Sequence, residues 1–156
     1  MRAQFYPHMP QAFVKLTELE ALVKDSGLDR ELIHLVKLRA SQVNSCAFCV
    51  DMHVKEAKID GERELRLHHL VVWRESPLFT EKEKAALLWT ETLTRLSTSD
   101  VSDEVYAQAR RHFDEKELVA LTMAVALINA WNRFAVAFRS EPGTHDRAFG
   151  LDKAGL

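Results

Sequence analysis

The sequence predicts an all-α domain, and three observations carry that prediction. Apolar residues recur at intervals of three and four in segment after segment. Start and stop signals for helices bracket those segments, and no run of residues alternates apolar with polar as a half-buried strand would. At 156 residues, with 47% hydrophobic content, the chain has the length of one ordinary domain and enough apolar surface for a sizeable core. A single domain over 1–156 is therefore expected.

Pro10 begins the first expected helix, in which Phe13, Leu16, Leu19, Leu22 and Val23 share a side, and Gly27 ends it. Asp29 is placed to cap a second helix, where Leu32, Leu35, Val36 and Val43 form the apolar side and Arg30, Lys37 and Arg39 mostly face away. A third helix starts at the cysteines and stops at Asp60-Gly61, and a fourth is expected from Glu62 to Trp73. Ser76-Pro77 breaks the chain. Thr80 with Glu83 reads as a capping box for the helix of Ala85, Leu88, Trp89 and Leu93. A short helix is expected over Asp103 to His112, and Asp114 with Glu117 opens a last long one, Leu118 to Phe138. That helix is apolar on nearly every face through Ile128, which predicts a central place or a subunit interface. Its uninterrupted apolar part falls short of the roughly 20 residues a bilayer requires. The tail after Gly143 is polar and is expected to be loosely held.

Charge excludes some functions. The 21 basic residues nearly balance 23 acidic ones without a long run of either sign, so neither nucleic acid nor a membrane surface is an expected partner. The first ten residues lack the basic and apolar pattern of a signal peptide, and a cytoplasmic location is expected.

Both cysteines lie in Ser45-Cys46-Ala47-Phe48-Cys49-Val50-Asp51-Met52-His53. On a helix Cys46 and Cys49 stand at i and i+3, about 5–6 Å apart at Cβ. His53 lies four residues beyond Cys49, on the same face. Asn44 or Ser45 could cap the helix and leave the positive end of its dipole near Cys46, which favours thiolate. So short a loop constrains the unfolded chain little, and cytosolic thiols stay reduced, so chemistry or metal is a better reading than a structural staple. A Cys-x-x-Cys suggests a thioredoxin only beside a βαβ pattern, which is missing. The metal reading is a zinc site of Cys46, Cys49 and His53 completed by His68 or His69, but zinc ligands usually come as two separated pairs. His34 is either a base assisting the thiols or a polar residue facing solvent. Asn129 and Asn132 interrupt an apolar helix and need partners if buried. Arg133 suits a carboxylate or an interface salt bridge.

The run from Leu35 to His53, with Trp73-Arg74-Glu75-Ser76-Pro77, Trp89-Thr90-Glu91 and Asn129-Ala130-Trp131-Asn132-Arg133, resembles the alkylhydroperoxidase AhpD-like branch of the carboxymuconolactone decarboxylase family. The resemblance implies an all-helical bundle, assembly into a homo-oligomer, trimer or hexamer, and reduction of hydroperoxides without metal or organic cofactor. It also implies re-reduction by a dithiol donor, either a reductant protein or a lipoyl group. Carried across, Cys49 attacks the peroxide, Cys46 resolves it and His53 relays protons. Two positions depart from the family pattern: His34 stands where well-studied members have a glutamate twelve residues before the first cysteine, and Phe48 stands where they have a histidine. A reading from another class remains open, a redox-sensing or partner-binding helical oligomer whose disulfide changes its assembly with little turnover.

Overall fold

The computed structural model describes residues 1–155 and contains helices and turns, with no strand among the described residues. Helix α1 (Pro10–Lys24) has proline in its first turn, where the missing N–H costs nothing. Helix α2 (Arg30–Val43) is capped by Asp29, whose carboxylate accepts from the Glu31 N–H at 2.9 Å. Helix α3 (Ala47–Ile59) ends at Gly61, where φ is +94° and the Glu62 N–H turns back to the Ala57 carbonyl at 2.9 Å. The expected helix from Glu62 to Trp73 is shorter, α4 (Glu64–His69) tightening into a 3-10 turn over Leu70–Val72. Beyond that turn the buried Trp73 donates its Nε1 to Glu91 at 2.9 Å. Helices α5 (Glu81–Thr94) and α7 (Glu115–Phe138) open on complete capping boxes, Thr80 with Glu83 and Asp114 with Glu117. Between them α6 (Asp103–Arg110) is capped by Ser102.

Helix α7 is the hub. It packs against α1, α2, α3, α5 and α6. By length and composition alone its 24 residues could cross a membrane, but Leu121, Ala124, Val125 and Ile128 are buried inside the bundle. The main core joins α2, α5 and α7 through Val36, Ala86, Leu121 and Val125. A second cluster sets α3 and the 3-10 turn after α4 on α2 through Leu38, Ala57 and Leu70.

Three expectations need correction. Of the charged side chains read as facing away on α2, only Arg30 is exposed: Lys37 is buried in an ion pair with Glu20, and Arg39 reaches the buried Glu91 at 2.7 Å. A cation on a helix leaves the solvent face when another helix offers a carboxylate, and nothing in local periodicity announces that partner. The tail is also held. It forms α8 (Asp146–Phe149) and a 3-10 turn over Leu151–Ala154, which packs on α3 and buries Leu151. Lys55 of α3 anchors it, bonded to Asp51 and to Asp146 at 2.8 Å each. At the other end of the chain Phe5 packs among Phe13, Phe134 and Phe138, with ring centres 5.2 to 5.5 Å apart. The third correction concerns the start of α3.

Candidate functional site

Neither Asn44 nor Ser45 caps α3. Cys46 occupies the cap itself, and its Sγ accepts from the Cys49 N–H at 3.3 Å. Ser45 takes a left-handed φ of 55° in the tight link from α2. The Asn44 amide is used elsewhere, donating to Asn129 Oδ1 at 3.0 Å and Asn132 Oδ1 at 2.8 Å. Asn132 in turn donates to Ser41 Oγ at 3.1 Å, and Asn129 donates to the Val125 carbonyl and to Thr94 Oγ1. These bonds satisfy the two asparagines that interrupt α7 and tie the α2–α3 link to the hub. Arg133 closes the network on the Asn129 carbonyl at 2.7 Å and its Oδ1 at 3.0 Å.

So anchored, the cysteines are buried at 2% and 1% exposure against Ala40, Ile128 and Ala135. Their sulfurs lie within disulfide-bonding reach, with Cα atoms 5.4 Å apart, inside the range such bonds require. His53 is buried one turn further along α3, and its Nδ1 meets Glu56 Oε2 at 2.7 Å. Burial alone would raise the Glu56 pKa. The hydrogen bond from His53, with the electrostatic influence of His53, Lys37 and His34, outweighs it and holds the group at about 2. An ionised carboxylate only accepts, so Nδ1 must carry the proton, and in the neutral ring Nε2 is the basic nitrogen. That Nε2 is buried without a hydrogen-bond partner among the described residues.

Cys49, His53 and Glu56 line a cavity of about 420 Å³, and Cys46 is not among its lining residues. His34 does not reach the cavity. Its Nε2 bonds Asp60 Oδ2 at 2.6 Å, beside Arg30 on the same carboxylate, and it touches the site only through its field on Glu56. The structure therefore gathers Cys46, Cys49 and His53 and sets His34 apart. Glu56 was missed in the sequence, although a carboxylate three residues after a histidine on a helix is a readable pairing signal. Among the described residues no group of three or more His, Cys, Asp or Glu side chains is arranged to hold a metal. His69 is committed to Ser76 Oγ at 3.1 Å.

The comparisons accord with this geometry. The model of the carboxymuconolactone decarboxylase family matches residues 7–92, more than half the chain and all of α2 and α3. An uncharacterised protein of Bacillus subtilis, YdfG, is 38% identical over 136 residues, spanning 87% of this chain and 92% of that protein. A crystal structure of a protein of unknown function from Agrobacterium tumefaciens, provisionally ascribed to antioxidant defence as an AhpD, superposes with a TM-score of 0.87. It is 45% identical and covers 92% of this chain and 98% of its own. The debrominase Bmp8 shares the fold at a TM-score of 0.80 and 19% identity, over 95% of this chain and 79% of its own. By helix order, cysteine motif and these matches, the chain belongs to the carboxymuconolactone decarboxylase family, in its AhpD-like branch.

Proposed function

We propose that the protein is a thiol-dependent hydroperoxide reductase. The observation that carries this reading is the pair of buried cysteines within bonding reach of each other, with Cys49 on a cavity wall beside the free basic nitrogen of His53. Cys49 thiolate attacks the terminal oxygen of the hydroperoxide, the O–O bond breaks, and the departing alkoxide takes a proton by way of His53, giving an alcohol and Cys49 sulfenic acid. Cys46 thiolate then attacks Cys49 Sγ, hydroxide leaves and is protonated to water, and the disulfide closes. A dithiol donor returns both thiols by exchange. Glu56 fixes the His53 tautomer. Assembly into a homo-oligomer is part of the proposal, through the exposed apolar strip of α7 at Val119 and Met123.

The test separates the two sulfurs. Cys46→Ser should consume one equivalent of peroxide and leave a sulfenic acid on Cys49 that dimedone tags, whereas Cys49→Ser should react little and carry no tag. A tag on Cys46 instead would reverse the roles, and no tag on either variant would refute peroxide reduction by this pair.

A further inference from the structure

Four arginines gather around one carboxylate where α2, α5 and α7 meet. Arg39 of α2 and Arg74, just after the 3-10 turn, pair with Glu91 at 2.7 and 2.6 Å, and Arg95 at the end of α5 lies 3.8 Å from it. Arg133 of α7 belongs to the same cluster, because it bonds Asn129, whose amide donates to Thr94 Oγ1 beside Arg95. Among the described residues Glu91 is the one carboxylate within ion-pairing distance of these four guanidinium groups. The chain as a whole carries a net charge of −2, so this local excess of positive charge runs against the rest of the surface.

The cluster is held in place. The Arg74 guanidinium lies over the Trp73 ring, 4.3 Å from its centre, Arg39 also donates to Gln42 at 2.9 Å, and Arg133 donates twice to Asn129. Little side-chain freedom is left to lose when a partner binds. Glu91, 3% exposed, fills the point on which the inner guanidinium faces converge, whereas the side chains of Arg74 and Arg95 are 55% and 48% exposed and Arg133 is exposed too. A single small anion needs free donors that converge, and here that point is taken. Exposed guanidinium groups spread over separate elements suit a broad acidic surface instead. The cluster also borders the sulfur pair. The Asn129 Oδ1 that accepts from Arg133 accepts from Asn44 as well, two residues before Cys46, and Ser45 and Ala47 on either side of that cysteine are exposed.

Resting on the peroxidase reading above, we propose that Arg74, Arg95 and Arg133 form the docking surface for the dithiol donor, and that this donor is a protein presenting acidic side chains around its thiols. The docked donor passes two electrons and two protons to the Cys46–Cys49 bond, which opens to two thiols while the donor closes its own disulfide. Charge brings the two surfaces together quickly at low ionic strength, and salt screens the attraction.

Two synthetic dithiol peptides, identical except for four flanking glutamates in one and four flanking lysines in the other, test this on the full-length chain. The protein is first oxidised with diamide, so that no peroxide enters, and the release of its thiols by each peptide is timed. Each rate is divided by the same peptide's rate on 2-hydroxyethyl disulfide, which removes differences in thiol reactivity. The corrected acidic-to-basic ratio should be roughly tenfold or more at low ionic strength. It should approach one in about 1 M salt, where the screening length is about 3 Å. Arg95→Gln, at an exposed position whose carboxylate partner is 3.8 Å away, and Arg133→Gln should each lower the ratio roughly two- to fivefold, the scale of one exposed ion pair. Lys15→Gln, exposed on α1 and outside the cluster, should not. A ratio near one for the wild type, or a high ratio that neither arginine variant moves, would overturn the inference. A ratio near one together with a lower mass in light scattering for Arg95→Glu would also overturn it and assign the face to a second copy of this chain. Peroxide consumption by the reduced protein is measured separately. Its absence beside a high ratio would refute the peroxidase reading and leave the docking surface standing, and its presence beside a ratio near one would do the reverse.

Discussion

Replacing Glu91 by glutamine should unfasten three parts of the molecule at once. The Glu91 side chain is only 3% exposed, and it accepts from Arg39 of α2 at 2.7 Å, from Trp73 at 2.9 Å and from Arg74 at 2.6 Å. Burial alone would raise its pKa. The hydrogen bonds from Arg74, Trp73 and Arg39, with the charge of Arg39, lower it from 4.5 to about 2. At about 1.4 kcal/mol per unit that difference corresponds to about 3.5 kcal/mol, and because Arg74 is half exposed and screened, about 2–3 kcal/mol is the sounder expectation. The sign follows from linkage. The folded carboxylate keeps its charge down to about pH 2, while the unfolded one takes a proton near 4.5, so the contribution is full above pH 4.5 and disappears as pH falls toward 2. Glu91→Gln lacks it throughout. Urea unfolding at pH 7 should show the midpoint lowered by roughly 1–2 M, given the slopes usual for small domains. Repeated at stepwise lower pH, the gap between variant and wild type should narrow between pH 4.5 and the lowest accessible value. A gap that stays constant across that window, or is absent at pH 7, would refute the electrostatic account of this cluster.

Glu56→Gln should free His53 to adopt either tautomer, slowing single-turnover oxidation by hydroperoxide roughly tenfold or more. Alkylation of Cys49 by iodoacetamide, which needs no proton delivered to an alkoxide, should slow far less, and equal slowing of both would assign Glu56 a merely structural role. Arg139 ends α7 with a left-handed φ of 52°, so Arg139→Gly should raise stability by about 0.5–1 kcal/mol in thermal or urea unfolding. Val119 is 68% exposed on the apolar strip of α7, and Val119→Glu should lower the mass seen by light scattering if that strip is the assembly face.

What could be read from the sequence was whatever is decided within one turn of helix. Proline at the start of α1, Asp29 before α2 and the two capping boxes all act over two or three residues, and each stands where its spacing put it. The grouping of Cys46, Cys49 and His53 on one face was legible for the same reason. Lys37 was not, because its partner Glu20 lies on another helix. Nor was the cavity, whose walls run from Phe5 to Phe149 and meet only after the whole chain has folded. The tail looked free because its composition is polar, yet the contacts that hold it, Lys55 to Asp146 and the burial of Leu151, depend on α3 being already in place.

The helix starts of this molecule are not equally firm. Those of α2, α5, α6 and α7 are closed by carboxylate or hydroxyl oxygens, while α3 is closed by a sulfur, a much weaker acceptor. The only soft closure among these five belongs to the turn that carries Cys49. Breaking or remaking the bond between the sulfurs can therefore be absorbed as a small local rearrangement, while the asparagines behind it keep α2 and α7 still. On the proposed reaction cycle, the compliance that opening and closing this bond requires is confined to a single helical turn.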